Sequence, residues 1–140
     1  MLLHASARAG KLWKPERWQA IAQALARSGC EVVLPSGSEA EFARSKTIAG
    51  DLDDVRFLDR EPLAAVTQAI ADADLVVGID TGLLHLAAAL QVPLVAIFVG
   101  ASNPRLTGPV GSGPIVVLGG NGAMSSAADV VAAIDKVLTR

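Results

Sequence analysis

The chain has 140 residues, with 12 Lys plus Arg against 14 Asp plus Glu, and a formal net charge of -2. Its apolar content of 51% with 19% charged residues excludes a disordered tail, and the charge does not favour a nucleic-acid-binding arm. A single cysteine, Cys30, excludes an internal disulfide framework. The longest apolar run, Leu83 to Ala89, is too short to span a membrane. These features predict one soluble, cytoplasmic domain over residues 1–140.

Short apolar runs alternate with helical patterns along the chain. The predicted strands are Leu2–Ala5, Glu31–Leu34, Val55–Leu58, Leu75–Ile79, Val92–Val99 and Ile115–Leu118. The predicted helices begin at Pro15, Glu39, Pro62, Gly82 and just after Ser126, whose spacing to Asp129 indicates a capping box. The helix from Gly82 is apolar almost all round, which predicts burial, and the Gly- and Pro-rich residues 100–113 predict a loop.

Continuous apolar strands separated by helices are typical of a parallel sheet covered on both faces. The pattern therefore predicts an α/β fold with a doubly wound, Rossmann-like parallel sheet of about six strands. Ligands of such folds bind at the carboxyl ends of the strands, near the point where the strand order reverses. Candidate functional residues are accordingly those that directly follow a strand.

The segment Asp80-Thr81-Gly82 follows the strongest predicted strand and opens the most apolar helix. Free N–H groups and the helix dipole make such a position an anion site, Thr81 adds a hydroxyl, and Gly82 lets a phosphate approach the backbone. The alternative is that Asp80 is only an N-cap and Gly82 only a tight turn. His85, one turn into the helix, either faces the same cleft or is structural.

Two further segments follow predicted strands. The loop from Ser6 to Lys11 could bring a hydroxyl and a cation to a diphosphate, but it has neither the Walker A nor the GxGxxG pattern, so Lys11 could equally be a solvated lysine. Glu41 follows the second strand, where an acid often binds ribose hydroxyls; the alternative is a first-turn helix acid.

Other residues have simpler interpretations. His4 and Cys30 are predicted to be core residues, and Trp13 and Trp18 are predicted to pack the first helix. No spacing of His and Cys indicates a metal site.

The segments HASARAGKLWKPERW, LPSGSEAE, VVGIDTGLLHLAAAL and GASNPRLTGPVG resemble, in this order, the C-terminal domain of bacterial lipopolysaccharide heptosyltransferases of glycosyltransferase family 9. The resemblance implies one half of a two-domain GT-B fold, the half that binds the nucleotide-sugar donor. The N-terminal acceptor domain, with the general base, would lie outside this chain. The implied reaction is inverting transfer of heptose from ADP-heptose to the Kdo of the lipopolysaccharide inner core, without a cofactor or an obligatory metal.

The resemblance also implies roles for individual residues. Ser6 and Lys11 would contact the diphosphate or the nearby sugar, and Glu41 would hold the ribose. Asp80 would bind heptose hydroxyls, Thr81 and Gly82 would receive the phosphates, and His85 would border the sugar pocket. The sequence departs from the family pattern at Ala7, where a hydroxyl residue is common, and at Ser102 and Asn103, which stand for Thr and Asp.

Two other functions remain open at this point. The chain could be the donor domain of a different GT-B enzyme with another nucleotide sugar, or a non-catalytic nucleotide-binding module. As the donor half of a heptosyltransferase, its partners would be the donor, the lipid A–Kdo acceptor through the missing domain, and weakly a second copy of itself. The full-length enzyme would be cytoplasmic or peripheral at the inner membrane.

Overall fold

A computed structural model of the protein describes residues 1–6, 12–100 and 102–139. Strands and helices alternate along these residues, as the sequence predicts. The strands are β1 (Leu2–Leu3), β2 (Val32–Ser36), β3 (Val55–Asp59), β4 (Val76–Ile79), β5 (Leu94–Phe98) and β6 (Ile115–Gly119). The helices are α1 (Pro15–Arg27), α2 (Glu39–Ala49), α3 (Leu63–Asp72), α4 (Gly82–Ala89), α5 (Pro104–Thr107) and α6 (Ala127–Leu138).

All the paired strands are parallel, and the strand order is that of a Rossmann-like sheet. One ladder has the order β1-β4-β5-β6 and a second joins β2 to β3, with β1 lying beside β2. The predicted α/β class is confirmed, but the six strands form a four-stranded and a two-stranded sheet rather than one continuous ladder. Since β1 contributes only Leu2 and Leu3, it offers few backbone groups to a second neighbour.

Helices cover both faces of the sheet, and each face has its own apolar core. On one face α1, α2 and α6 pack around Trp18, Ile21 and Ile134. On the other face α3 and α4 pack through Ile70 and Leu84. This arrangement is the doubly wound one that the continuous apolar strands predict.

A close approach fixes α4 against the sheet at Gly78 in β4. A Cβ built on Gly78 would lie 2.9 Å from Leu3 Cβ and 3.0 Å from Leu84 Cδ1. A side chain there would therefore push α4 and β1 apart. The residues that follow β1 and β4 consequently lie side by side where the strand order reverses.

Several local predictions can be compared with the structure. Trp13 and Trp18 are buried with their rings 5.2 Å apart and edge to face, which confirms their packing role. The capping box of Ser126 and Asp129 is also confirmed. Cys30 is exposed, so its prediction as a core residue is wrong: it lies in the turn before β2 rather than inside the strand.

Two segments differ from their predicted environment. Helix α4 is buried only along Leu84, Ala87 and Ala88, while Leu83 and Leu86 line a cavity on its other side. The 100–113 segment is not wholly a loop, because it contains the short helix α5. No helix in the described part of the chain combines the length and apolar character required to cross a membrane.

Candidate functional site

A cavity of about 590 Å³ opens at the carboxyl ends of β1, β2 and β4, where Rossmann-like sheets bind their ligands. Its apolar wall comes from α3 and α4, through Leu63, Val66, Leu83 and Leu86. Its polar lining comes from residues at the carboxyl ends of strands or in the segments beyond them: His4, Ser36, Glu41, Glu61 and Thr81. Mostly apolar walls with a few convergent polar groups are typical of small-molecule sites.

Thr81 is the N-cap of α4, but its hydroxyl does not cap the helix. Thr81 Oγ1 is buried and has no hydrogen-bond partner among the described residues. The N–H groups of a first helical turn have no intrahelical acceptor, and they carry the positive end of the helix dipole. Space beside Gly82 is open, since an added Cβ would meet nothing within 4 Å. At the start of α4 the Leu84 N–H donates to the Thr81 carbonyl at 3.1 Å, so the group left without a partner among the described residues is the Thr81 hydroxyl.

Thr81, not Asp80, is the N-cap of α4, so the alternative that Asp80 is an N-cap is wrong. Its side chain is only 7% exposed, and it contacts two polar side chains from opposite sides. His85 Nε2 lies 3.5 Å from Asp80 Oδ1, and Thr107 donates its hydroxyl proton to Asp80 Oδ2 over 3.2 Å. His85 remains 45% exposed, which leaves this cluster open to a ligand.

Glu41 occupies the third position of α2, three residues after the Ser38 N-cap. Its backbone N–H donates to Ser38 Oγ at 3.2 Å, while its carboxylate accepts a hydrogen bond of 2.7 Å from the N–H of Gly37. The carboxylate thus supports the turn after β2 and lines the cavity at the same time. This position is compatible both with a ribose-binding role for Glu41 and with a role as a first-turn helix acid.

The structure brings together some of the predicted site residues and separates others. Glu41, Thr81 and Gly82 line the main cavity, and the Asp80–His85 pair adjoins it through the chain. Ser6 instead lines a neighbouring cavity of about 520 Å³, which shares Glu41 with the main one. Lys11 lies outside the described residues.

His4 forms a buried polar contact at the base of the cavity. His4 Nε2 lies 2.7 Å from Ser45 Oγ on α2, and both side chains are fully buried. Burial, together with the smaller effect of the nearby Arg44 charge, lowers the pKa of His4 from 6.5 to about 4. The imidazole is therefore neutral at pH 7, and its prediction as a core residue is confirmed.

Sequence reasoning missed Thr107, Glu61 and the cavity-facing position of His4. A signal for Thr107 existed, because Asn103-Pro104 followed by Gly108 has the start and stop chemistry of a short helix. No such signal marks Glu61, which reaches the cavity through the turn after β3. Within residues 1–6, 12–100 and 102–139, no group of three or more His, Cys, Asp or Glu side chains is placed to hold a metal.

A parallel, doubly wound sheet with a cavity at the carboxyl ends of its strands defines the class of Rossmann-like α/β proteins. Comparison of the sequence with known protein families identifies the family within this class. The chain matches glycosyltransferase family 9 (heptosyltransferase) over residues 1–132, and it belongs to that family.

The chain is also similar to curated relatives named lipopolysaccharide heptosyltransferase 1. It is 39% identical to the Pseudomonas aeruginosa protein over 111 residues, covering 79% of this chain and 31% of that protein. It is 37% identical to the Escherichia coli K12 protein over 116 residues, covering 83% of this chain and 36% of that protein. The chain therefore spans about a third of the length of the curated relatives it matches.

Solved structures of family members have the same fold. The E. coli heptosyltransferase WaaC with ADP superposes with a TM-score of 0.88 and 34% identity, over 96% of this chain and 42% of that one. E. coli ADP-heptose lps heptosyltransferase II superposes with a TM-score of 0.85 and 27% identity, over 99% of this chain and 45% of that one.

Proposed function

We propose that this chain is the donor-binding part of a heptosyltransferase. The whole enzyme would transfer heptose from ADP-heptose to the Kdo of the lipopolysaccharide inner core, with inversion at the anomeric carbon. The observation that carries the proposal is the buried Thr81 hydroxyl, which has no partner among the described residues, at the uncapped N-terminus of α4. Family membership and the similarity to WaaC structures solved with ADP and with ADP-2-deoxy-2-fluoro heptose support the choice of donor.

The donor phosphates would bind at the start of α4. Thr81 lines the cavity, so rotation about its χ1 would bring the hydroxyl to a phosphate oxygen there. The open space beside Gly82 would admit the phosphate to the first-turn N–H groups. Lys11 and Ser6 would add a cation and a hydroxyl from the neighbouring loop.

The sugar and the ribose would bind on either side of the phosphates. Asp80 would accept hydrogen bonds from heptose hydroxyls, and His85 would border the same sugar. Glu41 would accept from the ribose, exchanging its bond to the Gly37 N–H for bonds to the ligand. In that arrangement the ligand replaces contacts that the free protein already makes.

Charge develops on the β-phosphate as the glycosidic bond to heptose breaks. Preorganised N–H groups, Thr81 and Lys11 would stabilise that charge, and they would do so without a metal or other cofactor. The acceptor hydroxyl must also lose a proton, for which the general base would come from a domain outside residues 1–140. Residues 1–140 are accordingly proposed as a single donor-binding domain of a two-domain enzyme.

The partners follow from the same proposal. The acceptor, lipid A–Kdo, would reach the site through the other domain. The whole enzyme would then act in the cytoplasm, at the face of the inner membrane where a lipid acceptor is accessible. Exposed apolar side chains such as Leu106 and Val110 would give the separate chain weak self-association, measurable by sedimentation at increasing concentration.

Titration of the chain with ADP, and with UDP as the control, tests the donor assignment through amide chemical shifts. We expect ADP-selective shifts at residues 80–85, Glu41 and Lys11. Shifts of equal size with both nucleotides would favour a nucleotide-binding module without base selection, and a UDP preference would favour a GT-B enzyme with another donor. Absence of shifts with either nucleotide would refute binding by this chain.

A further inference from the structure

The hydroxyl of Thr107 has two acceptors within reach. Thr107 Oγ1 lies 3.2 Å from Asp80 Oδ2 and 3.3 Å from the Asn103 carbonyl oxygen in its own helix, α5. A hydroxyl has one proton, so it donates to one acceptor at a time. The Asn103 carbonyl already accepts from the N–H groups of Leu106 and Thr107, whereas a carboxylate forms the stronger, charge-assisted bond. The proton therefore goes to Asp80.

Helix α5 is built to hold Thr107 at that place. The Asn103 side chain caps the first turn by accepting from the Arg105 N–H at 3.0 Å, and Pro104 fixes the first helical position. At the other end, the Gly108 N–H donates to the Pro104 carbonyl at 2.8 Å. A Cβ on Gly108 would lie 2.2 Å from that oxygen, so the ending requires glycine.

Asp80 is held between two elements. Thr107 from α5 contacts Oδ2, and His85 from α4 lies beside Oδ1. The χ2 torsion of an aspartate is broad and roughly two-fold, so nothing intrinsic to the side chain fixes the plane of its carboxylate. The contacts with Thr107 and His85 restrain that plane at both carboxylate oxygens, so loss of the Thr107 hydroxyl would change how the carboxylate is presented.

We propose that Thr107 is a specificity-determining positioning residue, whose hydroxyl orients the Asp80 carboxylate to bind the hydroxyls of the donor sugar. The inference rests on the proposed function, because it takes Asp80 as the group that binds the sugar. It adds that recognition of the sugar, but not of the nucleoside diphosphate, depends on α5. Thr107 does not line the main cavity, where the phosphates are proposed to bind.

The test compares the affinities for ADP and for ADP-heptose in wild type, Thr107→Val and Thr107→Ser, by calorimetry. We expect Thr107→Val to weaken ADP-heptose binding about 5-fold, the worth of one hydrogen bond, with a change of less than about 2-fold for ADP. Thr107→Ser keeps the hydroxyl, so its affinities for ADP-heptose and for ADP should both match those of the wild type. Thr139→Val is the matched control, since its hydroxyl also bonds to a carbonyl four residues earlier but contacts no carboxylate in the described structure.

A second readout reports on Asp80 directly. The ¹⁵N resonance of His85 Nε2 should shift in Thr107→Val and return in Thr107→Ser, because the carboxylate beside it turns. Equal losses of ADP and ADP-heptose affinity, or an unchanged His85 resonance, would show that Thr107 is only structural. If wild type binds ADP and ADP-heptose but Thr107→Val retains full affinity for both, this inference fails and the proposed function stands; if wild type binds neither, both fail.

Discussion

At the scale of single residues, the Thr81 hydroxyl is the group that most clearly indicates a ligand-binding site. A buried hydroxyl that, like this one, has no hydrogen-bond partner in the described part of the chain costs about 1–3 kcal/mol in the free protein. Such a cost is retained where the group has a partner in another state of the molecule. The arrangement implies that stability and ligand affinity respond oppositely to the loss of this hydroxyl.

We predict that Thr81→Val leaves the free energy of unfolding unchanged or raises it by about 1 kcal/mol, because an unsatisfied polar atom is replaced by a methyl group of similar size. The extended backbone of Thr81 suits a β-branched residue, and no capping bond is lost. ADP affinity should fall about 10-fold, since a hydrogen bond to a charged phosphate disappears.

Urea unfolding and calorimetric ADP titration of the same variant measure both effects. Thr81→Ser is the control, because it keeps the hydroxyl and should retain ADP affinity within about 3-fold. A clear loss of stability in Thr81→Val would mean that the hydroxyl is satisfied in the free protein, and the argument for a ligand would lose its main support.

The residues of this site differ in how readily the sequence reveals them. Asp80 and Thr81 could be predicted, because they directly follow an apolar strand and begin a helix. Thr107 contacts Asp80 across 26 intervening positions, and nothing in the local pattern encodes that pairing. A position at the edge of a predicted strand favours the core for Cys30, but the turn before β2, with Gly29 at φ 84°, leaves this residue exposed.

At the scale of elements, α5 is a helix within a Gly- and Pro-rich segment whose composition predicts a loop. Residues 100–113 contain several Gly and Pro, which predicts a loop, yet Asn103 and Pro104 also provide the capping and first-turn residues of a helix. The resemblance described above implies Asp where this chain has Asn103. Either side chain presents the oxygen that accepts from the Arg105 N–H, so this departure preserves the start of α5.

We predict that Asn103→Ala destabilises α5, while Asn103→Asp preserves it. Loss of an N-cap acceptor costs about 1 kcal/mol, which corresponds to about 5-fold faster hydrogen exchange of the amides in α5. Exchange at Leu106, Thr107 and Gly108, followed by NMR, measures the effect. Identical exchange in Ala and Asp variants would show that the Asn103 side chain does not hold the helix.

At the scale of the whole molecule, the fold depends on contacts between its two sheets. Alternation of strands and helices predicted six parallel strands and two covered faces, because those features follow from apolar periodicity. The same periodicity could not predict the interruption of the hydrogen-bonded ladder between β1 and β2, because strand pairing depends on the three-dimensional positions of the two strands. There the His4–Ser45 contact connects the end of β1 to α2, which packs on β2.

This contact makes global stability depend on pH. Because burial lowers the pKa of His4 from 6.5 to about 4, the unfolded chain binds a proton more readily than the folded one between these values. Stability from the neutral imidazole is thus complete above about pH 6.5 and is lost as the pH falls to about 4. The difference in pKa corresponds to a loss of about 3 kcal/mol over this window.

Urea unfolding of wild type and His4→Gln between pH 4 and pH 7 isolates the contribution of His4. Glutamine keeps a polar group near Ser45 but cannot titrate, so the free energy of unfolding of the variant should fall less steeply toward pH 4. Asp59 and Asp129 have pKa values lowered by hydrogen bonds from Arg60 and from the Ser126 backbone, so their contributions are lost at lower pH and are common to both proteins. Parallel curves for wild type and His4→Gln would contradict a buried neutral His4 at the junction of the two sheets.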